Sequence, residues 1–232
     1  MEKINCFNAN ILAFQTNIID GNLATHTGDD LKNVFENRQR LQKTLQKNFQ
    51  KNSPKNILSE PLWLNQNHGI QVTDSQHFDS HSDAIISSEK NKILAILTAD
   101  CLPILLVGKL QIAAIHAGWR GLAGGIVENT FAHFKESPAD CRVFLGVCIQ
   151  PCCFEVGIDV LKAFKGFESA FSTVNQKFFL NLQEVAALKL FKIGVLKENI
   201  FKETTCTACD SRFFSYRQTK TVGRQATLIC KT

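Results

Sequence analysis

Apolar residues along this chain fall into two patterns. The first is helical. Leu31, Val34, Leu41 and Leu45, with Arg38 in register, repeat at the 3–4 residue spacing of one helical face. Gly28-Asp29-Asp30 opens this helix and places an aspartate to cap it. The helix is expected to fray around 48–53, and Pro54 and Pro61 bracket a linker. A second helix carries Ile126, Val127, Thr130, Phe131 and Phe134; another starts at Val160–Phe164; a fourth runs over 182–193 and stops at Gly194. The second pattern is the short continuous apolar run. Residues 93–97, 102–107, 112–115, 143–149 and 226–230 predict buried strands. Residues 7–23 predict a short strand and a turn, 62–73 an extended segment, 74–83 a polar loop, and 151–157 a turn. Pro103, just inside its run, argues for a strand edge or a break. Strands and helices alternate irregularly, with no repeat and no composition break. The expectation is therefore one α+β domain over 1–232 with mixed β-sheets.

Composition narrows the class. A chain of 232 residues, 44% hydrophobic and 20% charged, buries a core without needing a disulfide or structural metal. Eighteen Phe against one Tyr point to an apolar, phenylalanine-rich interior. No apolar run is long enough to span a membrane, and the first residues lack a signal-peptide layout, so a cytoplasmic protein is expected. The net charge of +5 is spread out. Lys43, Lys47, Lys51 and Lys55 lie on or after one helix with no interleaved aromatics, which argues against a nucleic-acid partner. Nine cysteines, an odd number, fit reduced thiols better than a disulfide framework.

Three segments place one good metal ligand at the end of an apolar run or extended segment. They are Asn65-Gln66-Asn67-His68-Gly69, Thr98-Ala99-Asp100-Cys101 and Ile115-His116-Ala117-Gly118-Trp119-Arg120. Imidazole and thiolate together suit zinc, and three protein ligands leave a position open for water or substrate. Spacing alone leaves each residue equally readable as core filler or a satisfied polar group.

The wording of these segments resembles the YfiH-like, or laccase-domain, family, also described as purine nucleoside phosphorylases and peptidoglycan-editing factors. The family's boxes occur in order: Gly28-Asp29-Asp30 with Asn37-Arg38, Asn65–Gly69, Ser82-Asp83-Ala84, Thr98–Pro103, His116–Gly121, Cys206-Thr207, Phe213–Arg217 and Val222-Gly223-Arg224. The resemblance implies sheets flanked by helices and a metal site on His68, Cys101 and His116. It implies zinc-dependent chemistry on purine nucleosides: phosphorolysis of adenosine, inosine, guanosine or methylthioadenosine, and deamination of adenosine. An older description of the family implies copper-dependent oxidation of phenols, but reducing dioxygen takes several coppers and many histidines, and only six are present.

Within that frame Asp100 is a candidate proton carrier or a support for a ligand. Arg120, Arg217 and Arg224 are candidates for holding phosphate, and Gln66 for contacting substrate. Each arginine is equally readable as a structural ion-pair partner. Cys101 with two histidines is also readable as a nucleophile with a base, in an amide hydrolase acting for instance on peptidoglycan precursors. A non-catalytic nucleoside-binding relative is the third reading. The chain departs from the family near its start, where Asn17 is the nearest counterpart of an arginine. It departs again at Gly146–Pro151, which lacks one proline and one glycine, and at Gln218, where a second arginine is usual. Cys206 and Cys209 form a C-x-x-C that Cys152-Cys153 could complete as a structural zinc site, although Cys206 belongs to a matched box and Cys209 looks incidental. Cys148 and Cys230 read as buried filler, His77 and His81 as solvated. His133 carries no pattern, and His26 falls near the N-terminal box, where it could approach the site. Oligomeric state is not encoded in any of these features.

Overall fold

A computed structural model describes residues 1–50 and 58–232. Pro54, Lys51, Lys55 and the expected fraying at 51–53 lie outside the described residues. Strands β1 (Glu2–Lys3), β2 (Ile11–Gln15), β3 (Pro61–Trp63), β6 (Ile93–Thr98) and β14 (Gln225–Lys231) form one sheet in the order β1-β2-β14-β6-β3. Strands β4 (Val72–Asp74), β5 (Ala84–Ser87), β7 (Leu102–Val107), β8 (Ile112–Ala117), β9 (Arg142–Leu145) and β13 (Ile200–Lys202) form a second, ordered β13-β9-β7-β8-β5-β4. Both sheets are mixed: β3 runs parallel to β6, β4 to β5 and β13 to β9, and the other pairs are antiparallel.

The continuous apolar runs have a simple cause. Each central strand is covered on both faces, so every residue must be apolar and alternation disappears. On β6, Leu94 and Ile96 point between the two sheets, where they join Leu105 and Val107 of β7 and Ile112 and Ala114 of β8. The other face of β6, Ile93, Ala95 and Leu97, packs with Leu41, Leu45 and Phe49 of helix α1 (Leu31–Gln50). The opposite faces of β7 and β8 pack on helices α2 (Trp119–Gly124), α3 (Ile126–His133), α4 (Ile158–Ala163) and α5 (Leu182–Ile193). The result is helix, sheet, sheet, helices, as a mixed α+β fold. A short helix α6 (Tyr216–Thr219) precedes β14.

Helix boundaries follow their local signals. Asp30 accepts the Lys32 amide at 2.9 Å as the cap of α1. Gly194 ends α5 in the left-handed region at φ 109°. Other expectations need correcting. Pro103 is on a central strand, not an edge; it sits where the β9 ladder has not begun, since that pairing starts at Ile104 opposite Leu145. The strand expected over 143–149 ends at Leu145. In the 62–73 segment only the two ends are strand, and the Gly-rich stretch after His116 is itself helical. A small sheet of β10 (Glu155–Val156), β11 (Phe171–Val174) and β12 (Lys177–Leu180) was not expected. Its hairpin turns at Asn175 and Gln176, both with positive φ, without the glycine that usually announces such a turn.

Candidate metal centre and cavity

The three expected ligands meet at one rim of the two-sheet sandwich. Cys101 lies in the crossing from β6 to β7, where the chain leaves one sheet for the other, and Asp100 there takes φ 90°. His116 sits near the end of β8 on the face shared by the two sheets and is buried. His68 comes from the loop between β3 and β4 and is exposed, with φ 64°. Their ligand atoms all lie within 4.8 Å of one another. Cys101 Sγ is 3.6 Å from His68 Nε2, and the two imidazole rings stand edge to face at 4.8 Å.

Asp83 holds this arrangement together. Its carboxylate is fully buried at the start of β5. Oδ1 accepts His116 Nδ1 at 2.7 Å and the His68 amide at 3.0 Å; Oδ2 accepts the Gly69 amide at 2.8 Å and the Asn67 amide at 3.3 Å. One carboxylate therefore fixes the His116 tautomer, turning Nε2 towards Cys101, and clamps the loop that carries His68 in its left-handed conformation. Burial alone would raise the Asp83 carboxyl, but the His116 contact and these amides hold it below the usual range. Sequence reasoning placed Asp83 in a matched box without giving it a role; its signal is an aspartate at the mouth of an apolar strand.

Electrostatics of the trio follow from proximity. Burial would raise the Cys101 thiol, yet His116 and His68 bring it down to about 6. Burial would lower His116, yet Cys101 and Asp83 raise it to about 9. Without a metal, the pair is thiolate and imidazolium at neutral pH. Gly118 completes the fit: a Cβ there would come within 2.8 Å of His68 Cδ2 and 3.1 Å of Cys101 Sγ. Only a residue without a side chain lets the start of α2 approach the ligands this closely.

The trio opens into a cavity of about 730 Å³. All eight site residues expected from the sequence line it. Cationic groups come from Arg120, Arg217, Lys220 and Arg224, aromatic surface from Trp119, Phe154 and Tyr216, and an imidazole from His26. Arg217 Nη1 donates to the carbonyls of Glu155 at 3.0 Å and Cys153 at 3.2 Å. Arg224 Nη1 donates to the carbonyls of Gly223 at 2.8 Å and Thr221 at 3.1 Å. Burial depresses its guanidinium against the pull of Cys101 and Asp100. Arg120 is exposed and stacks on Trp119 at 4.4 Å. None of these three makes an ion pair among the described residues, so the structural ion-pair reading finds no support there. Lys220 was missed, having no local signal.

Two of the expected residues also serve the scaffold. Gln66 lines the cavity, but its amide nitrogen donates to the Leu97 carbonyl at 2.7 Å and its oxygen accepts the Leu97 amide at 2.8 Å. It extends the pairing of β3 with β6 and so positions the His68 loop. Asp100 has both oxygens engaged, one by the Thr207 hydroxyl at 2.7 Å and one by the Arg217 amide at 2.6 Å. That geometry suits the support role, one of the two readings of Asp100. Asn17, in place of the family arginine, is buried and caps the turn over Ile18–Asp20, away from the cavity lining. His77 and His81 are solvated, as expected, and His26 does reach the cavity.

Fold and cavity together define a class: a layered α+β protein with a His-Cys-His cluster at the mouth of a cation-lined cavity. The chain belongs to the laccase-domain, YfiH-like family, whose model, described as multi-copper polyphenol oxidoreductase laccase, matches residues 14–232. Among curated relatives, purine nucleoside phosphorylase YfiH of Escherichia coli (strain K12) is 36% identical over 218 residues, 90% of this chain and 85% of that protein. A purine nucleoside phosphorylase of Xylella fastidiosa (strain Temecula1) is 35% identical over 224 residues, 90% of this chain and 82% of that protein. Among solved structures, a Neisseria meningitidis protein superimposes with a TM-score of 0.86 at 31% identity, covering 100% of this chain and 98% of that one. YlmD from Geobacillus stearothermophilus also gives 0.86, at 28% identity, covering 98% and 94%.

Proposed function

We propose that this chain is a zinc-dependent purine nucleoside phosphorylase. The observation that carries this reading is the convergence of His68, Cys101 and His116 at the mouth of a cavity whose wall is cationic and aromatic. The donor set fits zinc: one thiolate already ionised near neutral pH, two imidazoles, one of them oriented by a carboxylate, and room for a fourth ligand. A copper oxidase reading lacks ligands, because only six histidines exist and His77, His81 and His133 are exposed away from this cluster. A zinc ion held by His68, Cys101 and His116 would supply Lewis-acid charge to the substrate.

The chain's own residues supply the rest. Arg217 and Arg224 are braced by backbone carbonyls, which leaves other guanidinium N–H groups for a phosphate; Lys220 and Arg120 add charge from exposed positions. These groups take over from the family arginine that Asn17 replaces. Trp119, Phe154 and Tyr216 offer ring faces to a purine. His26 is depressed by burial and by Arg224, Arg38 and His116, so it is a neutral imidazole at pH 7, able to hydrogen-bond the departing base. In phosphorolysis a phosphate oxygen bonds to C1′ of the ribose as the C1′–N bond breaks, and the purine leaves with the electron pair and gains a proton. Adenosine, inosine, guanosine and methylthioadenosine all present that bond. Deamination of adenosine is the accompanying activity, sharing the metal and the cavity.

The test is chromatography of products from these four nucleosides, with and without phosphate, on zinc-loaded protein. Free base with ribose 1-phosphate (5-methylthioribose 1-phosphate from methylthioadenosine), dependent on phosphate and reduced at least about 100-fold in Cys101→Ala, is the expected result. Absence of any product from all four at full zinc loading overturns it. The Cys101–His116 thiolate–imidazolium pair also supports a second reading, a cysteine amide hydrolase. Stoichiometric zinc on Cys101 rules that out, since a ligand thiolate is no longer a free nucleophile.

A further inference from the structure

Four other cysteines come together on the structure. Cys152 and Cys153 sit in the turn after Pro151, Cys206 and Cys209 in the segment after β13. Their four sulfurs all lie within 4.8 Å of one another, with Cys153 Sγ 3.3 Å and Cys152 Sγ 3.7 Å from Cys209 Sγ. In a tetrahedral zinc site with Zn–S bonds of 2.3 Å, neighbouring sulfurs are about 3.8 Å apart. The two Cys209 contacts lie just below that value, and both are far from a disulfide bond. We propose that Cys152, Cys153, Cys206 and Cys209 form a second, structural zinc site of four thiolates, independent of the one at His68.

The surroundings suit a metal rather than four packed thiols. Cys152 and Cys209 are exposed, so an ion has an entry path, while Cys206 is buried and anchors the site. The Gln150 amide donates to Cys206 Sγ at 3.4 Å, and the amides of Ala208 and Cys209 also face that sulfur. N–H groups aimed at a sulfur stabilise a thiolate, which is the ligand form. The two segments are already aligned, since Cys148 and Cys206 form a parallel bridge and Thr207 donates its amide to the Cys148 carbonyl at 3.1 Å. A C-x-x-C turn closes on one side, where the amides of Cys209 and Asp210 donate to the Cys206 carbonyl.

The site also has a consequence for the cavity. Thr207, next to Cys206, holds Asp100; Arg217 donates to the Cys153 carbonyl; and Phe154, next to Cys153, lines the cavity wall. A metal bridging the two segments would tie together the two pieces of backbone that place Asp100 and Arg217.

The test is metal stoichiometry on protein purified under reducing, anaerobic conditions and loaded with zinc. Two equivalents are expected in the wild type, one in Cys209→Ser, one in Cys152→Ser and one in Cys101→Ala. Cobalt(II) loaded into Cys101→Ala should give tetrahedral visible bands with the thiolate charge-transfer intensity of four sulfurs. That reading needs no variant in the four-cysteine cluster to fold. One equivalent that disappears with Cys101→Ala, with no cobalt spectrum left, overturns this proposal and leaves the catalytic metal standing. One equivalent that survives Cys101→Ala and disappears with Cys209→Ser does the reverse.

Discussion

The metal rim and the cationic wall of the same cavity are built in opposite ways. The rim is over-determined. His116 is held in a strand, Cys101 at the crossing between sheets, and His68 in a loop pinned by a fully buried carboxylate that accepts four hydrogen bonds. The wall is loosely held. Arg120, Arg217 and Lys220 are exposed, come from two short helices, α2 and α6, and the C-terminal edge of α6, and are steadied by backbone carbonyls or ring faces rather than carboxylates. The contrast matches what the proposed function asks of each. Ligands need fixed geometry before an ion arrives, whereas groups that receive a phosphate keep their charge available only if no carboxylate already neutralises it.

If the rim is the rigid half, its keystone should show the largest effect. Asp83→Ala strands the His116 imidazole and three amides without their acceptor. Urea titration is expected to record a loss of about 3–5 kcal/mol, together with loss of metal. Asp83→Asn keeps the shape and should retain most of the fold, while zinc affinity, by competition with a chromophoric chelator, drops about 10–100-fold. Gly118→Ala comes next. Its φ of −65° accepts a side chain, so any cost comes from the new Cβ pressing on His68 and Cys101. A loss of about 1–3 kcal/mol, divided between stability and metal binding, is expected from thermal melts with and without zinc. A fully wild-type metal affinity in this variant would break the picture of a tight rim.

Proton competition sharpens the comparison further. His116 is raised to about 9, so between pH 9 and 6 the metal must displace its proton, while Cys101, lowered to about 6, is already ionised. Affinity should therefore fall about tenfold per unit as pH drops across that window. Below about 6 it should fall more steeply, as Cys101 takes up a proton too. The wall should respond differently. Arg224→Lys is expected to raise KM for phosphate about tenfold, because an ammonium cannot reproduce the planar fork, and to leave zinc content unchanged. Arg120→Lys, at an exposed position, should change it only a few-fold.

Local signals were legible where local physics decides. The Asp30 cap, the apolar face of α1 and the Gly194 stop each act within one or two turns, and the structure keeps them. The ligand residues were legible for another reason: they stand in boxes whose wording matches a family. What local patterns missed was set by contacts between distant segments. Nothing near Pro103 says that β7 is central, because its neighbours are brought in from β8 and β9. Gln66 lines the cavity, and nothing near it in sequence announces that its amide also pairs with the backbone of Leu97, 31 residues away. The hairpin at Asn175-Gln176 lacks the glycine that would have marked it.

By itself, then, the sequence determined which stretches are buried on both faces, where most helices begin and end, and which side chains are chemically fit to hold a metal. Periodicity, capping and ligand chemistry are properties of neighbouring residues, so they can be read in a line. Only the tertiary structure decided that β6 and β7 part into different sheets with Cys101 at the crossing, and that Asp83 braces two histidines. It also brought Cys152 and Cys153 to Cys209 across 57 and 56 residues of chain. Those outcomes depend on how whole sheets stack and which loops meet at their rim, and packing over such separations leaves no local period to read.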